Sequence, residues 1–155
     1  MKDKERPIAS DRVLAEFRTE NLANDEFEGS YTLTLPGELV FYDSGRTTFR
    51  SLGNDEFGDS LVTEVSVLNK KSAYIVRNSY DPLSVIVGSR YATNLKAPDD
   101  SEVTVGVFGK CAESNARVGR GGKMKISFTL DRFGLFTSEH SLTVNMSVCD
   151  RKPHR

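Results

Sequence analysis

The chain has 155 residues, with 21 Lys and Arg against 22 Asp and Glu and a formal charge of −1. That length is the usual content of one domain, and the near-neutral balance excludes nucleic-acid binding through overall charge, although a local basic patch survives that test. Val, Ile, Leu and Phe together supply 40 residues, above the roughly one-fifth level below which a chain cannot offset its own ordering entropy.

Residues 1–24 carry two patterns. Ser10 or Asp11 would cap a helix running from Arg12 to about Ala23, with Val13, Leu14 and Phe17 on one side. Val13, Ala15, Phe17 and Thr19 also alternate with Leu14, Glu16, Arg18 and Glu20, as a strand would. Either way residues 1–24 are read as an N-terminal helix or arm, and residues 25–155 as a single β-sandwich domain.

Further along, Ala is scarce while Val, Ile and Thr are frequent, a bias toward pleated, half-buried surface. Strands are expected at about Tyr31–Leu35, Leu39–Tyr42, Thr47–Leu52, Leu61–Leu68, Ser72–Arg77 and Leu83–Val87. Three later runs alternate strictly: Val103–Phe108, Lys123–Leu130 and Leu142–Cys149. Turn residues such as Pro36-Gly37, Asp43-Ser44-Gly45, Asn69-Lys70-Lys71 and Gly121-Gly122 fall between them. The fold expected is all-β: an antiparallel β-sandwich or barrel of about eight or nine strands with an N-terminal helix or arm.

The sequence contains no nucleotide, zinc-protease or serine-hydrolase motif, so no cofactor and no enzyme activity are expected. The only histidines are His140 and His154, and His140 reads as an exposed turn residue before the last strand. Cys111 and Cys149 lack the close-pair spacing of zinc ligands and read as unpaired thiols. Asn24-Asp25-Glu26-Phe27 recurs as Asn54-Asp55-Glu56-Phe57. Asp25, Glu26, Asp55, Glu56 and Asp59 offer oxygens of the kind Ca²⁺ takes. Neither copy has the spacing of a calcium-binding loop, and no metal site is expected.

One charged feature is concentrated. Arg117, Arg120, Lys123 and Lys125 lie within nine residues that also hold three glycines. Glycines let backbone N–H groups converge on an anion, and the cations add charge. Arg151, Lys152, His154 and Arg155 would extend a basic end of the molecule, and nucleic acid is a weak candidate partner for it. No run of about 18 apolar residues is present to span a membrane, and no apolar stretch of a signal peptide follows Met1–Arg6.

Three functions fit these features. The first is a non-catalytic structural subunit that self-assembles, of the virion or surface-appendage type. It would associate through sheet edges and through the N-terminal arm, with Val13 and Phe17 as the arm's apolar contacts. The second is a monomeric binding module using its end loops, with an anionic ligand at the basic turn 117–125. The third is an enzyme with an unrecognised acidic site.

Overall fold

Period-two alternation produces strands with one dry face, and ten of them form here in a computed structural model that describes residues 5–23, 26–51, 63–77, 83–96, 102–132 and 138–149. They are β1 (Pro7–Ala23), β2 (Glu26–Tyr42), β3 (Arg46–Ser51), β4 (Thr63–Leu68), β5 (Ser72–Arg77), β6 (Leu83–Ile86), β7 (Arg90–Lys96), β8 (Glu102–Ser114), β9 (Gly122–Asp131) and β10 (Ser138–Val148). Their order in the single sheet is β6-β5-β4-β3-β2-β1-β10-β9-β8-β7. Neighbouring strands are antiparallel throughout. The all-β, antiparallel expectation holds, and the sheet curls into a nearly closed barrel.

The N-terminal helix or arm is not formed. Residues 12–23 belong to β1, which lies in the middle of the sheet between β2 and β10. The alternation of Val13, Ala15 and Phe17 prevailed over the helical spacing because those three side chains are buried in the barrel while Leu14 faces out, 47% exposed. Asp11 does not cap a helix. Its carboxylate accepts the Gly119 N–H at 2.6 Å, from a turn 108 residues away.

The strand count differs for two further reasons. Pro36-Gly37 is not a turn, so the two strands expected on either side of it are the one strand β2. Pro36 stands one residue beyond the last β2–β3 pair, Gly37↔Ser51, and a ladder end is where a strand tolerates proline. Arg90–Lys96, which lacks a run of apolar residues, forms β7 by pairing with β8 from Arg90↔Phe108 to Lys96↔Glu102.

Closure occurs where β6 and β7, the two ends of the sheet, meet β8 and each other. Val87 bridges Gly109 in parallel. The Gly88 N–H donates to the Gly109 carbonyl at 2.9 Å, and the Gly109 N–H to that of Ser89 at 3.2 Å. A Cβ on residue 109 would overlap the Ile86 carbonyl group and lie 2.9 Å from Val85 Cγ1, so only glycine lets the two strands approach this closely. Tyr91 of β7 completes the join. Its hydroxyl accepts the Ser84 N–H at 3.0 Å and donates to the Ser84 carbonyl, so one side chain takes the place of a missing strand neighbour. Arg90 crosses Gly106 to make a bidentate pair with Asp131, at 2.6 and 2.9 Å. A side chain at 106 would collide with that guanidinium.

The interior is filled by inward-facing residues of all parts of the sheet. Phe49, Leu39, Met124 and Ile126 are fully buried, and Phe17 meets Phe49 edge to face with ring centroids 5.5 Å apart. That geometry suits the quadrupoles of two aromatic rings.

Candidate functional site

Antiparallel winding sorts the connections between the barrel's two ends. The described ones, Asp43–Gly45, Asn69–Lys71, Val87–Ser89 and Asn115–Gly121, all lie at one end. The two ends differ in chemistry.

At the end away from those turns, the described side chains line a pocket. The inward alternation of β1 continues from Phe17 to Thr19, and the register places Phe17 opposite Leu33 and Thr19 opposite Leu142. With Val65, Ile75 and Leu83, these side chains line a partly open cavity of about 190 Å³. Phe128 and His140, a directly opposed cross-strand pair, form another part of its wall. The two rings stack at 5.3 Å with 13° between their planes.

Two polar groups break this apolar lining in ways that matter. Thr19 Oγ1 is buried and has no hydrogen-bond partner among the described residues. A buried hydroxyl left so costs about 1–3 kcal/mol. His140 Nε2 lies 2.8 Å from Ser138 Oγ, and burial lowers the imidazole pKa, so the ring is neutral at pH 7. His140 is therefore not the exposed turn residue expected. It sits within β10, half-buried, as part of a cavity wall.

The opposite end is charged. The β8–β9 hairpin and β9 bring Arg117, Lys123 and Lys125 to one open cleft of about 610 Å³, and the β4–β5 turn adds Lys70. Arg120 lies in the turn itself and does not line that cleft. The glycine-rich turn does not present a free cradle of N–H groups. The Gly119 N–H is taken by Asp11, the Arg120 N–H by the Arg117 carbonyl, and the Lys123 N–H by Asn115 Oδ1 at 2.8 Å.

The remaining sequence candidates do not gather. Val13 and Phe17 point inward and are buried. Cys111 and Cys149 are both free, and burial, followed by the neighbouring Glu113, pushes the Cys111 thiol pKa up. Among the described residues no group of three His, Cys, Asp or Glu side chains is placed to hold a metal ion, and no helix is long and apolar enough to cross a membrane. Asp25, Asp55, Glu56, Asp59 and the cations from Arg151 to Arg155 lie outside the described residues, as does the side chain of Glu26. Neither the cavity nor Lys70's part in the cleft was foreseen. Thr19 was visible as the polar member of an inward alternation, but an unfilled volume has no signature in a single sequence.

No protein-family model matches the sequence. No curated protein matches it either. Among solved structures the fold is similar to the crystal structure of the ywiB protein from Bacillus subtilis, with a TM-score of 0.72. The alignment covers 93% of this chain and 96% of that one at 11% identity, a likeness of fold.

Proposed function

We propose that the protein is a non-catalytic binding module that holds a small, mostly apolar molecule bearing one hydrogen-bonding group inside the barrel. The observation that carries this reading is the mostly apolar pocket of about 190 Å³, with Thr19 and His140 among its lining residues. Barrel ends are favoured ligand sites, and a few polar groups in an apolar lining fix orientation. An engineered apolar cavity of roughly 150 Å³ takes benzene, so a guest of one substituted ring suits this volume.

The self-assembling subunit drew on a terminal arm free to lie on a neighbour. That support is weaker with β1 paired on both sides. The enzyme reading needed converging acids, and among the described residues lining the pocket there are none.

The test is a titration with p-cresol and with toluene, followed by backbone amide NMR. Both probes are expected to shift the amides of Phe17, Thr19, Val65 and Leu142. Thr19→Val is expected to weaken p-cresol about fivefold, the equivalent of one hydrogen bond of ~1 kcal/mol, and to leave toluene unchanged or tighter. If neither probe at millimolar concentration shifts these amides, or if the shifts map elsewhere, the reading is wrong.

A further inference from the structure

We infer that the opposite end of the barrel carries a second, independent site for a small phosphate-bearing anion, in the cleft formed by Lys70, Arg117, Lys123 and Lys125. Four cations from the β4–β5 turn, the β8–β9 hairpin and β9 face this cleft, against one acid, Glu113. Among the described residues none of the four is in an ion pair, whereas Arg46, Arg50, Arg90 and Lys110 each have one. Unpaired like charges repel, and hydrogen-bonded turns and a strand gather them here. Lys123 and Lys125 project from the same face of a strand, and Arg117 is fixed by its bridge to Gly121.

Lys70 supplies a separate argument. It stands at φ 64°, after Asn69 at φ 48°, in a tight two-residue turn closed by the Lys71 N–H on the Leu68 carbonyl at 2.9 Å. Such turns favour Asn and Gly at both central positions, and a lysine there is held in a backbone region that L side chains disfavour. The backbone does not ask for this side chain, while the cleft uses its charge. Asn115 and Ser114 line the same space and offer neutral hydrogen-bonding groups beside the cations. Phosphate accepts several charge-assisted hydrogen bonds at once, and the open cleft of about 610 Å³ has room for more than one phosphoryl group.

The whole chain is titrated calorimetrically with tripolyphosphate, inorganic phosphate and sulfate at fixed ionic strength. Tripolyphosphate is expected to bind most tightly, with phosphate weaker and sulfate comparable to phosphate. That order assigns the site to polyphosphate-bearing molecules, whereas equal affinity for phosphate and tripolyphosphate assigns it to a single phosphate. Lys70→Asn, which suits the turn, and Lys123→Gln should each weaken tripolyphosphate about fivefold and leave p-cresol titration unaltered. Heat no larger than that of sodium chloride overturns the inference. So does tripolyphosphate binding untouched by either substitution, or preference for a single-stranded oligonucleotide over tripolyphosphate at equal phosphate concentration.

Discussion

Replacing Thr19 by valine is expected to stabilise the unliganded protein. Most substitutions into a barrel interior destabilise, so the sign is informative. Thr19 Oγ1 is buried without a partner among the described residues, and valine has the same shape with a methyl group where the hydroxyl was. Both residues are β-branched, so the strand preference of β1 changes little. The gain is the unsatisfied hydroxyl's penalty, about 1–2 kcal/mol once the cavity's own space is allowed for. For a chain of this length each kcal/mol moves Tm by about 2–4 °C, so a rise of about 2–8 °C is expected. Thr19→Ser is the control: it keeps the hydroxyl and loses one methyl, and should cost about 0.8 kcal/mol. Urea unfolding of the three proteins, with equal slopes, measures both differences. A valine variant less stable than the parent would show that the hydroxyl already has a partner.

Gly109→Ala should open the seam. Its Cβ meets backbone rather than a yielding side chain, and the two seam hydrogen bonds at residue 109 would lengthen, for a loss of about 2–4 kcal/mol. Unfolding within 0.5 kcal/mol of the parent would show the seam to be slack. His140 should titrate below its ordinary value of 6.5, because burial disfavours the charged ring. The sign for stability follows. Above pH 6.5 folded and unfolded chains both hold a neutral ring. As the pH falls the unfolded chain takes up the proton first, so stability declines through the folded value. The His140 Hε1 shift followed against pH gives the midpoint, and a value at or above 6.5 contradicts the buried placement.

The strands with strict alternation, β8, β9 and β10, were legible because one face of each is dry. What was not legible depended on distant partners. Asp11 has the chemistry of a helix cap, and it does cap a backbone N–H, but that N–H belongs to Gly119 in a hairpin. Leu14 spoiled the β1 alternation because an outward apolar residue on a barrel looks the same in sequence as an inward one. β7 owes its existence to β8, and to Arg90 and Tyr91, whose partners lie on β9 and β6. For the site, the basic residues were visible as a cluster, yet only the fold separates Arg120 from the cleft and brings Lys70 into it. The cavity is set by what seven strands leave unfilled, and no single segment encodes that.

The pairing of β1 with β10 joins the first strand to the last, from Val13↔Val148 to Ala23↔Ser138. Synthesis therefore proceeds with a seventeen-residue strand that has found β2 but whose other edge waits for residues more than a hundred positions away. Contacts of such sequence separation slow folding, and an unpaired edge is a template for unwanted pairing. A nascent chain halted before residue 138 would present that edge together with the half-built interior. The vulnerable period in this protein's life is the interval before β10 is made.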